Sequence, residues 1–314
     1  MKTMPAPTEL APTDALDQAS ILTGPTGAGK TALALELAKR IDAEIIAMDS
    51  MTVYRGMDIG TAKPTAAERA EVPHHLLDVL DPWESASVAW WLGQARQAAA
   101  AIAARGKRVL VVGGTILYLK ALLHGLFDAP PADAQLRMQL EAYAREAGPE
   151  ALHARLATVD PVSAQRIHPN NVRRVVRALE VWHQTGQPLS QLQTQWANPP
   201  RQRLCVWVDW PRDELYARID ARVQAMFAAG WPEEADRLRQ LPYPLSQQAR
   251  QALGYAVVWE YLDGKRTRAE AISQIQLETR QFAKRQLTWL RRLAACRRCE
   301  PRLVLSAWTK TIQP

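Results

Sequence analysis

The segment from Gly24 to Thr31 constrains the fold more than any other part of this 314-residue chain. It reads GPTGAGKT, which matches the phosphate-loop pattern GxxxxGK[ST]. A short apolar run (residues 20–23, SILT) precedes the motif, and a segment with helical periodicity follows it. In such a strand–loop–helix unit, backbone N–H groups and the helix dipole bind phosphate oxygens. The motif therefore predicts a phosphate site formed by Gly24, Pro25, Thr26, Gly27, Ala28, Gly29, Lys30 and Thr31.

Within that site, two side chains have distinct expected roles. Lys30 supplies positive charge to the terminal phosphates, and the hydroxyl of Thr31 suits Mg²⁺. We therefore expect Mg²⁺ as a cofactor, with Thr31 as its protein ligand. The motif does not say which phosphate compound binds, because a nucleoside triphosphate and a diphosphate on any carrier satisfy the same physical requirements.

Further strand-like runs indicate a parallel sheet around this loop. Residues 44–50 (EIIAMDS), 108–112 (RVLVV) and 203–208 (RLCVWV) are apolar and are separated by helical patterns. The predicted fold class is α/β, with a phosphate-loop parallel sheet core flanked by helices. Residues 123–199 contain helix punctuation and no comparable strand. We therefore predict a disordered leader (1–19), a core with basic C-terminal helices (20–122 and 200–314) and an all-helical insertion domain (123–199).

Composition excludes several other classes of protein. With 47% hydrophobic residues, the chain is too apolar to be wholly disordered. No apolar run approaches the ~18–20 residues of a membrane helix, and the N-terminus has no apolar core of a secretory signal. There are three cysteines, Cys205, Cys296 and Cys299, and this small odd number points to a reducing cytoplasm. We expect a cytoplasmic protein without a membrane partner.

The positive charge is concentrated near the C-terminus. The net charge is +7, and residues 271–314 contain nine Lys or Arg against two Glu, so this stretch carries the whole excess. A localised basic region is an electrostatic footprint for polyanions, including nucleic acid. A solvated basic helix end would explain the same charge pattern equally well.

Several motifs after the phosphate loop resemble those of the tRNA dimethylallyltransferases. The longest is DSMTVYRGMDIGTAKP at residues 49–64. The others follow in the same order along the chain: 73–78 (PHHLLD), 113–118 (GGTILY), 160–161 (DP), 167–170 (IHPN), 173–180 (RRVVRALE), 215–223 (LYARIDARV), 254–255 (GY) and 279–289 (TRQFAKRQLTW). The similarity extends from about residue 20 to 292, so it covers nearly the whole chain.

The resemblance implies an activity. Members of this family transfer a dimethylallyl group from dimethylallyl diphosphate to N6 of adenosine 37, beside the anticodon of tRNAs that read codons starting with U. The phosphate loop would then hold the diphosphate of the donor, and the partner would be the tRNA anticodon stem-loop. We expect a monomer. The alternative from the loop alone is a small-molecule kinase that uses ATP, although such kinases usually carry an Arg-rich lid and no extensive basic tail.

The expected chemistry needs a base and cations. The N6 amine of adenine is a poor nucleophile, so a general base must remove its proton, and the resemblance assigns this role to Asp49, after the second strand. A cap of the next segment, or a Mg²⁺-linked acid, is the alternative role for Asp49. Lys30 and Arg222 would stabilise the leaving diphosphate. Arg218 lies one turn from Arg222 on the same helix face and is the competing candidate.

The resemblance also assigns positions to tRNA contact. Thr115 would lie close to the reacting adenosine, although it could equally cap the following helix. Arg173 and Arg177 share one helical face, which suits the single-stranded anticodon loop, whereas an internal ion pair with Glu180 is the alternative. The full predicted set comprises Asp49, Ser50, Met51, Thr52, Thr115, Arg137, Arg173, Arg174, Val175, Val176, Arg177, Arg250, Gln251, Ala252, Leu253, Gly254 and Tyr255.

Overall fold

A six-stranded sheet organises the larger part of the chain. The computed structural model describes residues 14–127, 130–194, 199–201 and 203–312. The strands are β1 (Ser20–Thr23), β2 (Ala43–Ala47), β3 (His74–His75), β4 (Arg108–Gly113), β5 (Cys205–Val208) and β6 (Arg297–Cys299). Their order in the sheet is β3-β2-β4-β1-β5-β6, and every neighbouring pair is parallel. The predicted α/β class with a parallel phosphate-loop core is confirmed.

Helices follow most strands, as parallel connections require. In chain order they are α1 (Lys30–Ile41), α2 (Ala66–Glu71), α3 (Val88–Ala104), α4 (Ile116–His124), α5 (Ala134–Ala147), α6 (Pro149–Val159), α7 (Pro161–Arg166), α8 (Val172–Thr185), α9 (Leu189–Leu192), α10 (Arg212–Ala228), α11 (Trp231–Arg239), α12 (Tyr255–Leu262), α13 (Arg268–Leu290) and α14 (Val304–Ile312). The 23-residue helix α13 begins with a capping box between Thr267 and Glu270, which satisfies N–H groups of its first turn.

The sheet register brings three chain segments to one edge. Thr23, the last residue of β1, pairs with Gly113, the last residue of β4, and Ala47 at the end of β2 pairs with Val112. The phosphate loop, the segment that starts at Met48 and the turn after Gly113 therefore begin side by side at the carboxyl edge of the sheet. This is the edge at which open α/β sheets bind ligands.

The chain divides into two compact units. The first consists of residues 1–123 with 201–314, and the second is His124–Pro200. The second unit contains α5 to α9 and, within its described residues, no strand. Its core includes Leu152, Leu156, Val175, Val176 and Leu179, all of them at most 2% exposed. The predicted helical insertion, 123–199, differs from this unit by one residue at each end.

The predicted disordered leader is wrong for its last residues. Residues 15–18 form a turn in which Leu16 is 1% exposed. The Asp17 carboxylate accepts a hydrogen bond from Nη2 of Arg203 at 3.0 Å, so the turn is held both by apolar burial and by an ion pair. An isolated leucine among polar residues gave no sequence signal of this packing. Residues 1–13 lie outside the described residues.

The cysteines also differ from expectation. Cys205 and Cys296 form a disulfide, whereas their number alone pointed to a reducing compartment. The cause is the pairing of β5 with β6, in which Val206 lies opposite Arg297, so that the residues preceding them become neighbours. The separation of 91 residues along the chain hid this proximity. Cys299 is free and buried, and burial raises the pKa of its thiol.

Candidate active site

The phosphate loop has the backbone shape of an anion cradle. Gly27 and Gly29 have φ values of 79° and 78°, a region that favours glycine. A side chain at position 27 would also place its Cβ 2.7 Å from Ile219. No side chain caps the first turn of α1 at Gly29. The N–H groups at this helix start therefore remain available to an anion, which the helix dipole favours.

Two side chains hold the carbonyl groups of the same loop. Nε of Arg218 donates to the carbonyl oxygen of Gly27 at 3.0 Å, and Nε1 of Trp210 donates to that of Ala28 at 3.0 Å. The Arg218 guanidinium also lies over the Trp210 ring, 4.5 Å from its centroid. Arg218 is therefore committed to the loop backbone, which separates it from Arg222, the other candidate.

The cations Lys30 and Arg222 lie at the cavity with the Asp49 carboxylate. Nζ of Lys30 donates to the carbonyl oxygens of Gly24 at 3.0 Å and Pro25 at 2.8 Å. Burial, and then the nearby Arg222, lower the pKa of Lys30 to about 8, against the opposing effect of Asp49. Burial also lowers the pKa of Arg222, again against Asp49. Two cations held close together in a partly desolvated site favour binding of a multiply charged anion.

Asp49 follows β2 and has one committed and one available oxygen. Its Oδ1 accepts hydrogen bonds from the N–H groups of Met51 at 2.8 Å and Thr52 at 3.3 Å. Its Oδ2 has no hydrogen-bond partner among the residues that the structure describes. Asp49 thus caps the following turn, as the alternative interpretation expected, and also presents an acceptor to the cavity. The two roles are compatible in one carboxylate.

Thr115 is fixed against the Asp49 segment. Its Oγ1 accepts a hydrogen bond from the N–H of Ser50 at 3.1 Å, and its own N–H donates to the carbonyl oxygen of Met48 at 3.4 Å. A Cβ at Gly113 would lie 2.0 Å from that same Met48 oxygen, so the close approach requires glycine. Thr115 also immediately precedes α4. Thr115 lines the cavity, and among the described residues its hydroxyl accepts from Ser50 without donating to a protein group.

These groups line a cavity of about 490 Å³ within the first unit. Its polar lining includes Thr26, Lys30, Thr31, Asp49, Thr115, Arg222, Arg285 and Gln286. Its remaining wall is largely apolar and comprises Met51, Leu77, Val223, Met226, Trp231, Leu253, Ile275 and Phe282. The arrangement suits a ligand with an anionic end and a hydrocarbon part. Sequence reasoning missed this apolar wall, because its residues come from separate helices and loops.

The predicted segment from Arg250 to Tyr255 is divided by the structure. Gln251, Ala252 and Leu253 line the cavity, and Arg250 is exposed. Tyr255, in contrast, is fully buried, and its hydroxyl donates to Glu234 at 2.7 Å. A role for the Tyr255 side chain in binding RNA is therefore wrong in this structure, since a buried ring that begins α12 belongs to the core.

In the second unit, a buried glutamate engages two of the arginines expected to contact tRNA. Arg137 donates from Nε to Glu180 at 2.8 Å, and Arg177 donates to the other carboxylate oxygen. Burial alone would raise the pKa of Glu180, but these hydrogen bonds outweigh it and hold that pKa below its ordinary value. Arg177 thus forms the internal ion pair with Glu180 that was the alternative to tRNA contact, and Arg137 forms an ion pair with the same carboxylate.

The other α8 residues that were predicted to contact tRNA divide into buried and exposed positions according to the helical period. Val175 and Val176 are 0% and 2% exposed, so their side chains belong to the core of the second unit and do not reach RNA. Arg173 and Arg174 are exposed on α8. Helix period therefore sorts the predicted run of five residues into a core pair, an ion-paired arginine and two surface arginines.

Comparison with protein-family models gives two matches. The model described as IPP transferase matches residues 52–293, and the one described as isopentenyl transferase matches residues 17–78. Among curated relatives, tRNA dimethylallyltransferase 1 of Trichlorobacter lovleyi is 50% identical over 273 residues, which are 86% of this chain and 90% of that protein. A tRNA dimethylallyltransferase of Xanthomonas oryzae pv. oryzae is 48% identical over 304 residues, 93% of this chain and 92% of its own length.

Solved structures agree with this result. The tRNA isopentenylpyrophosphate transferase of Bacillus halodurans superposes with a TM-score of 0.68 at 39% identity, covering 94% of this chain and 95% of that one. A eukaryotic dimethylallyltransferase described as acting on tRNA gives a TM-score of 0.73 at 25% identity, over 93% of this chain and 77% of that one. The resemblance seen in the sequence motifs is thereby confirmed, and the chain belongs to the IPP transferase family, with the tRNA dimethylallyltransferases.

Proposed function

We propose that this chain transfers a dimethylallyl group from dimethylallyl diphosphate to N6 of adenosine 37, beside the anticodon of tRNAs that read codons starting with U. One observation carries the proposal: a single cavity brings together a phosphate cradle, an apolar wall and the available Oδ2 of Asp49. Family membership supports dimethylallyl transfer to tRNA and decides against the ATP-dependent kinase that the phosphate loop alone allowed.

The anionic end of the donor would bind in the polar part of the cavity, and its hydrocarbon end would bind against the apolar wall. The diphosphate would accept hydrogen bonds from the phosphate loop and face the charges of Lys30 and Arg222. The branched five-carbon group would pack against the apolar wall, for example Met226 and Ile275. Each CH₂ group that is removed from water there contributes about 0.8 kcal/mol.

Mg²⁺ would be shared between protein and donor. Thr31 lines the cavity beside Lys30, and no group of three or more His, Cys, Asp or Glu in the described part of the chain could hold a metal by itself. Mg²⁺ commonly binds few protein ligands together with substrate phosphates, so the Thr31 hydroxyl and diphosphate oxygens form a fitting donor set. When bound, the ion would neutralise part of the charge on the leaving diphosphate.

The transfer itself requires one proton acceptor and a stabilised leaving group. The N6 nitrogen attacks C1 of the donor, the C1–O bond breaks, and its electron pair leaves with the diphosphate. Oδ2 of Asp49 takes the proton that N6 loses, while Oδ1 stays hydrogen-bonded to Met51 and Thr52 and keeps the carboxylate oriented. Lys30 and Arg222 stabilise the charge that develops on the departing oxygen.

The tRNA would be engaged by exposed positive side chains near the predicted segments. Arg250 precedes the cavity-lining residues Gln251, Ala252 and Leu253, and Arg173 and Arg174 are exposed on α8. An adenine must leave its stack to reach an enclosed site, which costs least in a single-stranded loop such as the anticodon loop. Because its substrate is tRNA, we assign the activity to the cytoplasm. We expect a monomer.

No helix among the described residues is long and apolar enough to cross a membrane. The direct test compares two labelled substrates. Purified protein is incubated with labelled dimethylallyl diphosphate or with γ-labelled ATP, with and without tRNA. We expect label from the prenyl donor on tRNA only, and on adenosine 37 after digestion. Phosphorylation of a small molecule without prenyl transfer would overturn the proposal.

A further inference from the structure

Gln286 connects two of the three segments that build the site. It belongs to α13 and is 5% exposed. Its Oε1 accepts a hydrogen bond from the N–H of Thr26 at 2.9 Å, and its Nε2 donates to the carbonyl oxygen of Gly114 at 2.9 Å. One amide group thus connects two loops that are far apart in sequence, and both of its hydrogen-bonding atoms are used.

One of the two loops would bind the prenyl donor, and the other leads to the residues next to the proposed base. Thr26 belongs to the phosphate loop that would hold the donor. Gly114 immediately precedes Thr115, whose Oγ1 accepts from the N–H of Ser50, the neighbour of Asp49. Hydrogen bonds from Thr26 to Gln286 and from Gln286 to Gly114, the peptide bond from Gly114 to Thr115, and the hydrogen bond between Thr115 and Ser50 therefore connect the donor cradle to the segment that carries the base.

The amide of Gln286 is closely packed against Gly114. A Cβ on Gly114 would lie 2.8 Å from Nε2 of Gln286, 3.1 Å from the carbonyl oxygen of Gly24 and 3.5 Å from Nζ of Lys30. The two contacts also require an acceptor on one side and a donor on the other. Among side chains of this length, only an amide or a protonated carboxylic acid provides both.

We propose that Gln286 is a positioning residue for the transfer reaction, holding the phosphate loop at a fixed distance from Asp49 and Thr115. The inference rests on the proposed function, since it concerns the geometry of that reaction. Attack of N6 on C1 requires the nucleophile, C1 and the leaving oxygen to be aligned, and a misplacement of about 1 Å can cost about 10²-fold in rate. Gln286 sets this alignment through its hydrogen bonds to Thr26 and Gly114.

The first test separates rate from binding. Gln286→Met keeps the length of the side chain but removes the hydrogen bonds to Thr26 and Gly114. We expect the single-turnover rate, at saturating donor and tRNA, to fall by about 10- to 100-fold, while the donor Kd changes by less than about 3-fold. The matched control is Gln276→Met on the same helix, because the Gln276 amide donates to the Asp220 carbonyl oxygen at 3.1 Å and does not line the cavity.

The second test uses Gln286→Glu. A carboxylate can accept from Thr26 but cannot donate to Gly114, whereas a protonated carboxylic acid can do both. We therefore expect the ratio of variant to wild-type rate, at saturating substrates, to rise as the pH falls. A purely structural residue would not produce this recovery. The pH-dependent ratio decides the question even if Gln286→Met fails to fold.

The outcomes are distinguishable. Absence of transfer by the wild-type protein would overturn the proposed function itself. If the wild type and Gln276→Met are active, a folded Gln286→Met variant within about 2-fold of the wild-type rate would overturn the positioning role. A flat pH ratio for Gln286→Glu would do the same. Reduced rate in Gln286→Met, with recovery of Gln286→Glu at low pH, would establish it.

Discussion

Nζ of Lys30 donates to the carbonyl oxygen of Pro25 at 2.8 Å, so the charge that the phosphate loop offers to its ligand is held by the loop itself. In this position burial and the neighbouring Arg222 lower the pKa of Lys30 to about 8. The lysine is thus mostly charged at pH 7 and mostly neutral at pH 9. A bound diphosphate favours the charged form, so binding and protonation of Lys30 are coupled.

Donor affinity should therefore fall as the pH rises through 8. Above this value binding requires uptake of a proton, and the loss approaches about tenfold per pH unit. Titration calorimetry between pH 7 and 9.5 measures it. Lys30→Ala should bind weakly and lose this dependence. Lys39→Ala should retain the pH dependence. Lys39 lies on the surface of the same helix as Lys30, where it pairs with Glu71 of α2. A wild-type affinity that is flat across the range would contradict the coupling.

Asp49→Asn should remove transfer while leaving the site folded. The amide oxygen can still accept from the N–H groups of Met51 and Thr52, but the side chain no longer takes a proton. Loss of a general base costs about 10²- to 10⁴-fold in rate, and Asp49→Ala should lose at least as much. Single-turnover transfer at saturating tRNA checks this, with tRNA binding measured in parallel. A rate within a few-fold of wild type would remove Asp49 from the mechanism.

The sequence could predict the parts of this site that are formed by contiguous residues, but not those formed by residues far apart in the chain. The phosphate loop and the strand before Asp49 are contiguous patterns, so they could be predicted. The strands His74–His75 and Arg297–Cys299 are too short and polar to show a period. Gln286 meets Thr26 across 260 residues, and only the tertiary structure reveals that contact.

Electrostatic pairing was harder to predict than secondary structure. Spacing placed Arg173 and Arg177 on one helix face, but it could not say whether that face meets solvent or Glu180. The side chain of Glu180 is fully buried, and burying a carboxylate is costly unless it is paired. This requirement draws Arg177 inward together with Arg137. Arg218 and Arg222 posed the same problem, and only their contacts distinguish them: Arg218 donates to Gly27 and lies over Trp210, whereas Arg222 lines the cavity.

Two arginines of α8 should therefore behave in opposite ways. Arg177→Ala should destabilise the protein by about 1–3 kcal/mol, because buried Glu180 loses one partner. Since the ion pairs hold the Glu180 pKa below its ordinary 4.5, their contribution is present above that pH and is lost as the pH falls. In Arg177→Ala this pKa rises, so stability should be lost at a higher pH. Melting curves from pH 4 to 7 measure the shift.

Arg174→Ala is the matched variant for tRNA binding. Arg174 is exposed on the same helix, so melting should change little. If it contacts a phosphate of single-stranded RNA, the slope of log K against log salt should become shallower by about 0.7. Arg173→Ala should add a similar change. An unchanged affinity and slope in the folded double variant would show that this part of α8 does not touch tRNA.

The last prediction separates Arg222 from Arg218. Arg222 lines the cavity, whereas Arg218 donates to Gly27 and lies over Trp210. Arg222→Gln should lower the transfer rate by about 10²- to 10³-fold, because it removes a charge that stabilises the leaving diphosphate. Arg218→Gln loosens the loop backbone instead, so it should weaken donor binding and lower the melting temperature, with a smaller effect on the rate at saturating donor. Single-turnover rates, donor Kd values and melting curves of both variants measure these differences. The reverse assignment, a rate defect confined to Arg218→Gln, would mean that the leaving group meets Arg218 and that the loop rearranges when the donor binds.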